Sequence, residues 1–195
     1  MRFIVFILFL STLLSCVKSY NEPQSTFSLN IVEMKTVYGN ELDLWNFDMG
    51  DSTVRVETKF NEDWEDWIYR LNGENGEIET VYSNDWDDWK LEGKEFNLRI
   101  KTVYSNDYNK WEIKNTATNW SVNVRTTYTE NSYDESWNQW SVNGDNLSIQ
   151  LKTVYSDIDN WQMQGVFPTQ YPLEYRIAIL FVPIITNILI AQELI

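Results

Sequence analysis

The chain has 195 residues, with 29 Asp and Glu against 15 Lys and Arg and a formal charge of −14. That acidity disfavours phosphate-backbone recognition, so no nucleic-acid partner is expected. The absence of His removes the commonest general base and transition-metal ligand. Ten Trp and eleven Tyr are more aromatics than a disordered chain carries.

In chain order, the first element is a basic start, Met1-Arg2, followed by the apolar run Phe3–Leu10 and then Ser11-Thr12-Leu13-Leu14-Ser15-Cys16. A charged beginning, a short apolar core and small residues near its end are the pattern of a secretory signal peptide. The chain has one Cys, so no intramolecular disulfide is available, and that Cys closes the signal-like segment. Leu13-Leu14-Ser15-Cys16 resembles a bacterial lipobox. The resemblance implies cleavage before Cys16, lipidation of Cys16, and a protein held on a membrane of the bacterial cell envelope, at the outer membrane or the periplasmic face. The alternative is an ordinary signal peptide and a secreted protein. Residues 1–15 are read as the signal and 16–30 as a polar tether.

Residues 31–165 are built from a repeat. Its Thr falls at Thr36, Thr58, Thr80, Thr102, Thr126 and Thr153, the first three intervals being 22 residues each and the last two 24 and 27. A fixed period of this size means one small unit copied side by side. The first half of each unit alternates strictly, as in Phe96-Asn97-Leu98-Arg99-Ile100-Lys101-Thr102, which is the pattern of a half-buried strand. The second half is shorter and starts with Trp45, Trp67, Trp89, Trp111, Trp140 or Trp161, expected to be core residues. Tight Gly-bearing turns such as Asn72-Gly73 and Asn143-Gly144 alternate with longer polar turns such as Ser105-Asn106-Asp107. The expected fold is all-β: an antiparallel meander of about twelve strands from six hairpin repeats of about 22 residues, closed as a rolled sheet or barrel. Strict alternation carried through the strand ends puts Tyr38, Phe60, Tyr82, Tyr104, Tyr128 and Tyr155 on the inward face beside the Thr residues. Opposite charges on neighbouring strands are expected to pair on the outward face.

Residues 166–195 contain an apolar stretch, Ile177–Ala191, interrupted by Pro183. It is short for a membrane span, which needs roughly 20 residues, and reads as a helical segment packed on the sheet. The rival reading is a membrane-dipping segment. If helical, Pro183 should cost one hydrogen bond and kink it.

The acidic turns are the sharpest chemical candidates. Asp85/Asp87 and Asp157/Asp159 place carboxylates two residues apart, but without the Gly and distal Glu of a calcium loop, and Asp and Asn are also ordinary turn formers. No metal or cofactor is expected. The carboxylates recur in equivalent positions, whereas a catalytic pair is singular, and no nucleophile–His pair is possible, so the chain is not read as an enzyme. The turn aromatics Trp64, Trp86, Tyr108, Tyr133 and Trp137 are the candidate ligand-binding residues, since aromatic rings beside Asn and Asp suit a sugar's C–H face and hydroxyls. The expected function is therefore a non-enzymatic exported lipoprotein of structural or binding role, partnered by the membrane and by a glycan or another envelope protein. A glycan-binding module is the first alternative and a membrane-embedded β-barrel the second, the latter disfavoured by short strands and a polar outward face.

Overall fold

The structure, a computed structural model, describes residues 32–39, 41–71, 73–127, 136–144 and 146–195. The signal-like segment, Cys16, the tether, Tyr128 and Tyr133 lie outside the described residues.

Twelve strands follow one another in chain order: β1 (Val32–Thr36), β2 (Leu44–Asp48), β3 (Thr53–Thr58), β4 (Asp66–Leu71), β5 (Glu74–Thr80), β6 (Asp88–Glu92), β7 (Asn97–Thr102), β8 (Lys110–Asn115), β9 (Ser121–Thr126), β10 (Gln139–Gly144), β11 (Leu147–Val154) and β12 (Asp157–Gln164). Each pairs antiparallel with its neighbours, and β12 pairs with β1, so the meander is a closed barrel. Closure removes both sheet edges and with them the unpaired backbone groups that invite edge-to-edge association.

The repeat is visible in the register. The repeated Thr of each odd-numbered strand faces the inner Trp of the next: Thr58 and Trp67, Thr80 and Trp89, Thr102 and Trp111, Thr153 and Trp161. On its other side each Trp faces an aliphatic residue of the following strand, as Trp67 faces Ile78 and Trp111 faces Val124. The sixth, Trp161, completes the circle by pairing with Met34 of β1. Six equivalent Trp side chains, Trp45, Trp67, Trp89, Trp111, Trp140 and Trp161, thus form one buried layer around the barrel.

Outward positions carry charge. Glu57 takes both Arg55 (2.7 Å) and the cross-strand Arg70 (2.8 Å), and Lys90 bridges Glu79 (2.6 Å) and Glu92 (3.0 Å). Asp88 is buried beneath Arg99 and Lys101, its carboxylate paired with both. The expected cross-strand pairing of opposite charges is present.

The lumen is filled by the chain itself. Twelve strands about 4.8 Å apart, tilted by about 40°, wrap a radius of about 12 Å. Packed layers stand about 10 Å apart, so that radius admits a single helix on the axis. The helix is α1 (Leu173–Ala191), and every residue from Ile177 to Leu189 is buried. Phe181 sits edge-on between Trp67 and Trp89, ring centroids 5.5 and 5.7 Å away. A helix that is apolar on every side is stable only when surrounded, and the barrel surrounds it.

The helix runs on past Pro183. Pro183 has no N–H to donate, so the Ile179 carbonyl loses its usual helical partner. Two polar side chains on the following turn are satisfied locally. Thr186 Oγ1 donates to the Val182 carbonyl (2.8 Å), and Asn187 Nδ2 donates to the carbonyls of Pro183 (2.8 Å) and Trp137 (3.1 Å).

The two barrel ends differ. At the Gly-turn end, Val32, Met49, Asp51, Phe167 and Arg176 meet around a small cleft. Here the chain leaves β12, turns back through Val166–Pro172 and enters the lumen. Arg176 holds the helix start to the wall through Asp51 (3.2 Å). The Ser52 hydroxyl and Arg176 together keep the Asp51 carboxyl below the usual carboxylate range. Phe96, Trp120 and Tyr171 pack around Tyr175, which accepts a hydrogen bond from the Asn115 amide. Tyr69 lies across Gly76, its cross-strand partner, where any Cβ would overlap the ring. Burial, followed by the charges of Glu174 and Glu74, pushes the Tyr69 phenol well above its ordinary range. The first described residue, Val32, starts β1 at this end, opposite the polar turns.

Candidate functional site

The polar turns that alternate with the Gly turns gather at the other end of the barrel and form a rim. The first four share one construction. The carbonyls of Tyr38, Phe60, Tyr82 and Tyr104 accept from the N–H three residues on, at 3.0 Å in every case. The third turn residue is left-handed, with φ of 59° at Glu62, 61° at Asn84 and 58° at Asn106. Asn tolerates that region because its short side chain bonds locally. The Asp that follows accepts from the N–H two residues further on: Asp63 from Glu65 (3.3 Å), Asp85 from Asp87 (3.2 Å) and Asp107 from Asn109 (3.2 Å). These are Asx turns, and they use the first carboxylate of each acidic pair.

The second acidic position ties one repeat to the next. Asp87 Oδ2 accepts from the Ser105 hydroxyl (2.9 Å) and the Asn106 N–H (2.8 Å). Glu65 plays the same part for Ser83 (3.0 Å) and the Asn84 N–H. Backbone bonds run in parallel, from the N–H of Thr58, Thr80, Thr102 and Thr126 to the carbonyls of Asp43, Glu65, Asp87 and Asn109 (2.9, 3.0, 2.9 and 2.9 Å). The paired carboxylates singled out in the sequence thus do structural work in the rim, and among the described residues no three metal-ligating side chains are gathered.

Of the five aromatics expected to bind ligand, Trp64, Trp86, Tyr108 and Trp137 are all brought to this rim. They form a lid over the buried Trp layer. Each packs on the inner aromatic three residues on, with centroids 5.9, 6.1, 6.0 and 6.2 Å apart. Each also accepts that residue's indole N–H on its backbone carbonyl, at 2.9, 2.8, 2.9 and 2.8 Å. Leu42 and Ile158 hold the same place in the first and last repeats. The lid side chains are half-buried and continuous with the core. Burial, with the neighbouring Asp87 charge next, pushes the Tyr108 phenol up to about 12.

The exposed aromatics are a different set. Tyr38, Phe60, Tyr82, Tyr104 and Tyr155 are 60, 67, 67, 65 and 98% exposed. The inward placement expected for them is therefore corrected. The Thr before them ends its strand facing the core, but two residues later the chain has already entered the turn, where the strand's two-residue alternation no longer applies. The signal that could have found this was the position of Phe60, Tyr82 and Tyr104 directly before Asn-Glu-Asp or Ser-Asn-Asp.

The rim is also acidic. Its turns carry Glu41, Asp43, Glu62, Asp63, Glu65, Asp85, Asp87, Asp107, Asp157 and Asp159 with Lys59 among them, while Lys35, Lys101, Lys110, Arg125 and Lys152 stand at the strand ends below. Between the first two turns and the end of α1 lies an open cleft of about 310 Å³ lined by Glu41, Leu42, Asp43, Asn61, Glu62, Trp64 and Gln192.

Comparisons of this chain with protein-family models, with curated proteins and with solved structures find no match. The rim itself is the basis for a functional reading.

Proposed function

We propose that the chain is a non-enzymatic, exported cell-envelope lipoprotein whose barrel is a rigid binding module. The observation that carries the binding role is the rim: its exposed aromatics are the repeated feature that the fold leaves without a packing task. The lumen is occupied by α1, so the module has an outer surface to offer rather than an interior for a small ligand. Its wall is laced with ion pairs and, among the described residues, carries no apolar outward band for lipid, which favours a water-exposed barrel over a membrane-embedded one. The lipobox-like Leu13–Cys16 supports anchoring, and Val32 at the Gly-turn end would direct the rim away from the anchor.

Mass spectrometry of the mature N-terminus tests the anchoring. A chain beginning at a lipid-modified Cys16, and released into buffer when residues 1–16 are replaced by an ordinary cleavable signal, is the expected result. An unmodified N-terminus beyond Cys16 on a membrane-free protein would overturn it. A glycan remains the alternative ligand, and the lid residues bear on it. Their rings are half-covered, so the surface open to a sugar is narrower than the turn sequence implies.

A further inference from the structure

The rim joins two properties that occur together nowhere else on the described surface. The strongly exposed aromatics are confined to it, and the large apolar side chain exposed at the opposite end is Val166. Around the cleft the carboxylates of Glu41, Asp43 and Glu62 form no ion pair or hydrogen bond among the described residues, unlike Asp87 and Glu65, which hold turns together. Unpaired carboxylates beside an aromatic face are the surroundings a cation seeks. It gains Coulomb attraction and the ring's quadrupole together, and Trp gives the strongest such face.

We propose that the rim docks a basic polypeptide segment: one Lys or Arg head enters the Glu41–Asp43–Glu62 cleft against Trp64, and further cations settle over Tyr82 and Tyr104. Charge complementarity selects this occupant. A rim rich in carboxylates attracts a basic chain over several ångströms and repels an acidic one. A cleft of about 310 Å³ accommodates one long side chain and not a folded domain. Arg binds more tightly than Lys, because a planar guanidinium stacks on a ring while an ammonium is a hydrated point charge. The proposal rests on the reading of the barrel as a binding module and is independent of the lipid anchor.

The test is a fluorescence titration of the full barrel at 0.15 M salt with three probes: nona-arginine, nona-lysine and a neutral β-glucan oligosaccharide. Nona-arginine binds most tightly if the proposal holds. Asp43→Asn with Glu62→Gln weakens it at least tenfold. Tyr82→Ala with Tyr104→Ala, which leaves the net charge unchanged, also weakens it several-fold. Glu74→Gln with Glu95→Gln removes two charges at the opposite end and changes binding less than twofold. Equal losses from the two charge-removing pairs would reduce the effect to net charge and overturn the proposal. So would unchanged binding by the Tyr pair, or binding of the oligosaccharide with none of either peptide. Circular dichroism confirms that each variant is folded; none of the four residues at the rim contributes a side-chain bond to the fold. Failure here leaves the lipid-modified N-terminus, measured separately, as the test of anchoring.

Discussion

If α1 holds the barrel open from within, its central aromatic side chain should matter more than any other single residue on the helix. Phe181 is 1% exposed and lies edge-on to two of the six buried Trp rings. Truncation of a buried Phe to Ala costs about 3–5 kcal/mol, the spread reflecting how far the site collapses. The barrel wall is a closed hydrogen-bonded ring and cannot move inward to fill the gap, which argues for the upper half of that range. Two edge-to-face contacts, each worth about 0.5–1.5 kcal/mol beyond area, point the same way. At a urea slope of about 2 kcal/mol per molar, Phe181→Ala should lower the unfolding midpoint by about 2 M. Trp fluorescence reports the transition directly, since Trp67 and Trp89 line the lost contact. Tyr155→Ala, at a residue 98% exposed, should move the midpoint by less than about 0.5 M. A shift below 0.5 M for Phe181→Ala, with the protein still folded, would refute the placement of the helix at the centre of the stabilising core.

Three further outcomes follow from particular contacts. Gly76→Val should destabilise by about 1–3 kcal/mol, because its Cβ would occupy the space of the Tyr69 ring, and Tyr69→Leu in the same chain should recover part of the loss in urea melts. Asn187→Asp should cost about 3–5 kcal/mol at pH 7, since a buried carboxylate would face the carbonyls of Pro183 and Trp137. Its folded-state pKa is then raised, so stability returns as the pH falls and the protonated acid can donate; thermal melts at pH 4 and pH 7 measure the difference. The third concerns alkali. The folded state holds the Tyr108 proton more tightly than the unfolded chain does, whose phenols titrate near about 10. That contribution is complete below about pH 10 and is lost as the pH rises toward 12. Urea midpoints between pH 9 and 11.5 should therefore fall, and fall less steeply in Tyr108→Phe. Equal slopes for the two proteins would remove Tyr108 from the account.

Much of the architecture was legible from periodicity alone. Alternation in segments such as Phe96–Thr102 and the recurring Trp marked the strands, their inward faces and the hairpin order, because a two-residue period admits only one face toward the core. Closure was legible only as one of two outcomes, since it depends on β1 meeting β12 across nearly the whole repeat region. The same limit applied to α1. Its apolarity on all sides announced burial, but the enclosing space exists only once the ring is shut. At the rim, residue-level reading took the acidic turns as capping groups, which they are, but placed Tyr82 and Tyr104 inward, where they are exposed. Trp64 and Trp86 are lids and Tyr82 and Tyr104 are exposed, because strand periodicity stops at the first turn bond and turn geometry takes over.

The enclosed helix also limits how this repeat can evolve. An open solenoid gains or loses units freely, because each touches only its neighbours. Here a sixth of the circumference is one hairpin, and deleting it would shrink the radius from about 12 to about 10 Å, which is ordinary layer spacing but removes the extra depth that the buried Trp layer and Phe181 fill. An added hairpin would leave the helix loose in a partly empty bore. Copy number and the gauge of the C-terminal helix are matched to each other, so the repeats can drift in sequence and in spacing, as the intervals of 24 and 27 residues show, but not in number. Deleting one unit of 22 residues, Tyr82–Val103, should accordingly give a chain that no longer folds around its helix.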